Sequence, residues 1–185
     1  CGLLRQIPED LFSGCKAVTN FSTTFALCTS LESIPANLFA DNTEVTSFEG
    51  TFSQCTSLKS IPPTLFANCD KVLYFGMNWL RGGLGVFQQC ESLQAVPETL
   101  FAGCPLAEDM SYAFAGCKAL TSLPDNLFRQ NSRLEQVEGT FSSCTALTAI
   151  PAMLFDNNRK LMNVKSTFSG SLNVEGESPY TVIGN

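Results

Sequence analysis

The sequence predicts an α/β-type repeat solenoid, a right-handed stack of about six 27-residue units built from short parallel strands and short helical or 3₁₀ turns. Three observations predict it. Cysteines recur at a fixed interval, the same apolar phrase follows each of them, and a second half-phrase echoes the first.

The interval comes first. Cys1, Cys28 and Cys55 are evenly spaced, and Cys90, Cys117 and Cys144 repeat the same spacing. The gap from Cys55 to Cys90 is one period plus eight further positions, and Ser171 stands where the next cysteine would fall. Internal periodicity of this length is the signature of stacked supersecondary units. One unit is too small to offset its own ordering entropy, but copies stacked on one another bury continuous apolar ridges.

The elements follow in order. Three residues past the cysteine is a leucine (Leu4, Leu31, Leu58, Leu93, Leu120, Leu147), and three later Ile7, Ile34, Ile61, Val96, Leu123 or Ile150. This Leu-x-x-Ile stretch reads as a first strand. A proline follows every time, from Pro8 to Pro151, which stops a ladder and seats a first turn. A Leu-Phe pair ending at Phe12, Phe39, Phe66, Phe101, Phe128 or Phe155 then reads as a helical or 3₁₀ turn.

The second half begins with Cys15, Asn42, Cys69, Cys104, Asn131 or Asn158. Both residue types can point inward and bond a neighbouring backbone carbonyl, which is the Asn/Cys position of leucine-rich repeats. A Val-x-x-Phe stretch such as Val45 to Phe48 reads as a second strand, and a further phenylalanine (Phe25, Phe52, Phe87, Phe114, Phe141, Phe168) precedes the next cysteine position. One coil per repeat is favoured, with two half-length coils as the alternative. Like residues on stacked coils lie about 4.8 Å apart, wider than the roughly 3.8 Å between Cβ atoms that a disulfide prefers. The cysteines are therefore expected as buried free thiols.

Bulk properties narrow the function. The 185 residues are 44% hydrophobic and 15% charged, composition suited to one folded array over residues 1–170 with 171–185 as a partial repeat, a capping tail or the start of another module. The formal charge is −6 with no histidine, and basic residues are scattered apart from Arg159–Lys160. Nucleic acid, which demands a basic stripe, is disfavoured. No apolar run is long enough to span a membrane. A cysteine nucleophile would need an activating base and zinc a close pair of ligands, and the sequence supplies neither. Glu108 and Asp109 project to opposite faces of an extended segment, so they are not a glycosidase pair. No enzyme activity and no cofactor are expected.

The phrases Phe52-Ser-Gln-Cys55-Thr-Ser-Leu58-Lys-Ser-Ile61 and Phe141-Ser-Ser-Cys144-Thr-Ala-Leu147-Thr-Ala-Ile150 resemble the BspA-like, Treponema-type leucine-rich repeat family. The Asn-x-x-Val-x-x-Phe half resembles related repeats of bacterial surface lipoproteins. The resemblance covers residues 1 to about 170 and implies an extracellular or cell-surface bacterial protein that binds other proteins by adhesion; the start within a repeat leads us to expect a segment of something longer. The unit here is longer than the usual one, by its Pro-x-x-Leu-Phe segment.

The array has one break, an eight-residue insertion within residues 76–86 that carries the only tryptophan. A loop extruded from a rigid scaffold is where binding residues concentrate. Trp79 is the candidate anchor for a protein interface or a platform for a sugar ring, Arg81 bonds alongside, and Tyr74 and Tyr112 flank the loop. The expected partner is a protein or glycan outside the cell.

Overall fold

A computed structural model of the chain describes residues 1–76 and 83–171. Its backbone is a succession of tight turns set three residues apart. In the second unit the Leu31 N–H donates to the Cys28 carbonyl (2.9 Å), Asn42 to Phe39 (3.1 Å), Thr51 to Phe48 (3.1 Å) and, closing the unit, Cys55 to Phe52 (3.2 Å). The i, i+3 spacing of the apolar residues is thus the spacing of turn ends, and it aims each of them at the same core.

These turns correct the expected secondary structure. Among the described residues there is no helix and no 3₁₀ segment, so they do not form the α/β-type array that the sequence predicts. A turn at every third residue takes the N–H groups that a helix would use in series. In the Val-x-x-Phe stretch only two residues remain between turns (Thr46 and Ser47 in the second unit), and it forms a single parallel bridge per unit, from Asn20 through Ser47, Tyr74, Asp109 and Gln136 to Asn163. The Leu-x-x-Ile stretch forms no bridge among the described residues. Its units are linked by single long hydrogen bonds such as Lys59 N–H to the Glu32 carbonyl at 3.4 Å, and the proline that follows each one has no N–H to extend the pairing.

The chain makes one coil per repeat. The bridges and side-chain bonds join each position to its own counterpart one unit away, and the two halves of a unit face each other across the core: the Phe12 and Phe21 rings meet at 4.6 Å, Phe39 and Phe48 at 4.7 Å. Phenylalanine columns run the length of the stack. Phe25, Phe52, Phe87, Phe114, Phe141 and Phe168 lie nearly parallel with centroids 5.4–5.6 Å apart, within the range of offset stacking. Each such ring, fully buried, is worth roughly 1.5–3 kcal/mol, which explains how units lacking helices and extended sheets hold together.

Polar ladders tie the columns. Asn42 Nδ2 donates to the Cys15 carbonyl at 2.9 Å, Asn131 to those of Cys104 (2.8 Å) and Phe101 (3.0 Å), Asn158 to those of Asn131 (2.8 Å) and Phe128 (3.0 Å). In the other cysteine column the thiols of Cys55, Cys90, Cys117 and Cys144 each donate to the phenylalanine carbonyl of the preceding unit at 3.3 Å, and Ser171 Oγ repeats the bond to Phe141 at 2.8 Å. A third ladder of threonines goes unnoticed in the sequence: Thr51, Thr140 and Thr167 each bridge the carbonyls of their own and the preceding unit.

All nine cysteines are free thiols. Seven are buried as expected, whereas Cys1 and Cys15 are exposed because no described unit stacks below the first. The residues of the expected tail from 172 onward lie outside the described residues.

Candidate binding surface

The insertion enters the array at one defined point. In other units the chain between the bridge column and the threonine ladder is a two-residue turn whose second residue is left-handed: Thr23 (φ 58), Gly50 (φ 60), Tyr112 (φ 57), Gly139 (φ 58) and Ser166 (φ 56). In the third unit the same turn is closed by the Val86 N–H donating to the Phe75 carbonyl at 2.8 Å, with residues 76–85 in place of two. The insertion therefore leaves the columns above and below it in register.

Two glycines fix its base. A Cβ on Gly76 would stand 1.8 Å from the Ser111 carbonyl oxygen, and one on Gly85 would stand 1.9 Å from that of Tyr112. No side chain fits either place, so both ends of the insertion are pressed on the backbone of the fourth unit. Side chains brace it further. The Leu84 Cβ lies over Gly50, 2.9 Å from where a Cβ would be, and the Tyr112 ring lies over Gly139, its Cε1 2.5 Å from that position. The base of the loop is thus buttressed from the second unit to the fifth.

Of the residues singled out in the sequence, Tyr74 and Tyr112 sit at this base, while Trp79 and Arg81 lie outside the described residues. Tyr74 occupies the bridge column between Ser47 and Asp109 and is 38% exposed, a large apolar ring open to solvent. Tyr112 is half-buried; its hydroxyl donates to Glu138 Oε1 at 3.1 Å, and Asn163 Nδ2 donates to Glu138 Oε2 at 2.9 Å. Tyr112 is therefore part of the scaffold, whereas Tyr74 is presented on it.

In the sequence Asp109 is one residue of the varied column from Asn20 to Asn163, a recognition face or a solvated strip; the structure singles it out. It bridges directly to Tyr74, its backbone carbonyl accepts the N–H groups of Phe75 (2.9 Å) and Gly76 (3.2 Å), and only 6% of it is exposed. Its Oδ1 accepts the Ser111 N–H at 2.7 Å. Asn20 and Asn163 make the same bond in the same column, to Ser22 (2.6 Å) and Lys165 (3.1 Å). The turn therefore needs an acceptor but not a charge. Burial pushes the Asp109 carboxyl above its usual range, bonds from Ser111 oppose this, and the charge of Glu138 adds to it. No ion pair reaches Asp109 among the described residues. The one signal available was a lone acid in a column of neutral residues.

The remaining polar features are of a different kind. Burial pushes the Cys55, Cys69 and Cys144 thiols to about 12, and those of Cys90, Cys104 and Cys117 also rise. At neutral pH they are protonated and buried, and those of Cys55, Cys90, Cys104, Cys117 and Cys144 donate to carbonyls, the opposite of an activated nucleophile. Among the described residues no cluster of potential metal ligands forms and no helix is long and apolar enough to cross a membrane.

Comparison with known proteins gives leucine-rich repeat structures. No family model matches the chain, and no curated protein matches it by sequence. Among solved structures it is similar to a chain of the Toll–Spätzle complex of Drosophila (19% identity, 92% of this chain and 24% of that one, TM-score 0.48). It is also similar to the leucine-rich repeat domain of the type III effector XopL (16%, 88% of this chain and 57% of that one, TM-score 0.48) and to a leucine-rich repeat protein of T. pallidum (20%, 90% and 80%, TM-score 0.36). The chain spans about a quarter of the length of the first and just over half of the second. At these levels of similarity the assignment of a repeat solenoid rests on the chain's own bridge column, phenylalanine stacks and Asn/Cys ladders.

Proposed function

We propose that this chain is a non-enzymatic binding scaffold of the leucine-rich repeat kind, displayed outside a bacterial cell in the manner of the BspA-like proteins, and that it engages a protein partner at the base of its insertion. The observation that carries the reading is the Tyr74–Asp109 bridge. An exposed aromatic ring stands beside a nearly buried carboxylate whose charge the fold does not require, on a platform braced across four units. A rigid aromatic anchor next to a desolvated charge is the composition of an interface hot spot, and it fits a partner that offers an apolar pocket and a lysine or arginine. Trp79 and Arg81, which the sequence singles out in the insertion, are assigned to the same partner.

The test is capture of soluble extracellular proteins on the immobilised chain, followed by titration of the captured species. Tyr74→Ala and Asp109→Asn are each expected to weaken it at least tenfold. A chain that binds no protein but gives a glycan-array signal abolished by Trp79→Ala would replace this reading with a sugar-binding one. Binding indifferent to all three substitutions would remove the site altogether.

A further inference from the structure

The ion pairs of the surface follow one rule: a lysine reaches back to a glutamate in its own column one unit earlier. Lys59 pairs with Glu32, Lys71 with Glu44 and Lys118 with Glu91. One column breaks the rule in the last two units. Lys160 stands one unit after Arg133, in the very column that holds Glu44 and Lys71, so that cation is stacked on cation. Arg159 adjoins them, above Ser132. All three side chains are exposed, and none has an acidic partner among the described residues.

Like charges placed opposite each other in neighbouring units oppose folding. Acid also stacks on acid, Glu98 under Asp125 and Glu108 under Glu135, but Arg133 and Lys160 are the one place where cation stacks on cation, and such a local conflict marks a place kept for something other than stability. It also stands out against a net charge of −6. We infer that Arg133, Arg159 and Lys160 form a second contact surface, taking an acidic segment of a protein partner. The neighbouring columns decide for a peptide over a polyphosphate. Two to five positions along the chain from the Arg133 and Leu106 column, units four and five carry Glu108, Asp109, Glu135 and Glu138. A duplex with one negative charge per roughly 1.7 Å would be repelled there, whereas a short acidic run flanked by basic or neutral residues would meet opposite charge throughout. This surface lies in other units than the Tyr74–Asp109 pair and does not depend on it.

The experiment measures fluorescence anisotropy of three labelled ten-residue probes at two salt concentrations: an alternating Glu–Ser peptide, an alternating Lys–Ser peptide and a single-stranded oligonucleotide. The acidic peptide is expected to bind best, more weakly at high salt. Arg133→Glu should lower its affinity at least tenfold, and Lys160→Gln at least threefold. Lys16→Glu, an equal change of charge on an exposed site of the first unit, should change it less than twofold. Because Arg133→Glu recreates the Glu44–Lys71 arrangement with Lys160, it should melt no lower than the parent, which separates loss of binding from loss of fold. Tyr74→Ala should leave the acidic-peptide affinity unchanged. Equal weakening by Lys16→Glu, indifference to Arg133→Glu, absence of acidic-peptide binding, or tighter binding of the oligonucleotide would each overturn the inference.

Discussion

The ring of Tyr112 rests on the α-carbon of Gly139, one unit further along the stack, so closely that a Cβ there would stand 2.5 Å from its Cε1 atom. Both residues are left-handed, at φ 57 and φ 58. The contact is one half of the brace around the insertion; Leu84 over Gly50 is the other.

Gly139→Ala should therefore cost roughly 2 kcal/mol, about 1–2 of it from a side chain in a left-handed conformation and the rest from displacing the tyrosine. In the background of Tyr112→Gly the second part disappears. A double-mutant cycle on the two sites, followed by urea unfolding, should give a coupling of about 0.5–1 kcal/mol. Strict additivity would mean that the ring does not bear on Gly139.

Leu27 is the converse case. It is left-handed at φ 62 and 55% exposed, in the column where Gly116 and Gly170 stand in later units. Leu27→Gly relieves the strain and loses little burial, so it should raise stability by about 0.5–1 kcal/mol even after the added flexibility of the unfolded chain. A lower melting temperature for this variant would show that Leu27 packs in a way its exposure hides.

Thiol chemistry should separate the cysteines into two groups. A maleimide should label Cys1 and Cys15 in the folded chain and the other seven only in denaturant. The same burial makes the fold sensitive to alkali. Unfolded thiols ionise near pH 8.5 while those of Cys55, Cys69 and Cys144 hold their protons to about 12. The unfolded chain then binds fewer protons, and stability falls as pH rises from roughly 9 to 12, by up to about 1.4 kcal/mol per unit for each thiol. Cys144→Ser, the replacement present at Ser171, should make the fall shallower. A melting temperature flat to pH 11 would contradict this burial.

Asp109→Asn should stabilise the chain at neutral pH, by about 1 kcal/mol, because the Asn20 and Asn163 turns show that the amide serves the same bond. The carboxyl is held above its usual range in the fold, so its contribution is most favourable below the unfolded value near 4 and is lost as pH rises through the folded one. The advantage of the variant should accordingly shrink towards pH 4. A variant less stable than the parent at pH 7 would mean that the charge itself supports the fold.

How much of this was legible in the sequence follows from which features repeat. The Leu31, Phe39, Asn42 and Phe52 columns and the free thiols show as periodic identities, because a stacked core demands the same side chain at the same place, whereas one coil against two half-length coils stays open until the ring contacts across the core are seen. The absence of extended strands did not show. The three-residue spacing that was read as Leu-x-x-Ile and Val-x-x-Phe strands is equally the spacing of consecutive turns, and only the hydrogen bonds distinguish the two. The site lies where periodicity stops. Gly76 and Gly85 reveal their role only through the carbonyls pressed on them, and Asp109 stands out only once Asn20 and Asn163 are seen making its bond without its charge.

The central claim is that each position sits directly over its counterpart one unit away, and that the insertion does not disturb this. Spin labels placed in the exposed column at Thr19 and Met162, and separately at Thr46 and Met162, in a chain with Cys1 and Cys15 replaced by serine, test it across the insertion. With units about 4.8 Å apart, the first pair should lie roughly 24 Å apart at the backbone and the second about one step less, both with narrow distributions. Distances that do not differ by one step, or that spread broadly, would contradict the stacked register on which everything else depends.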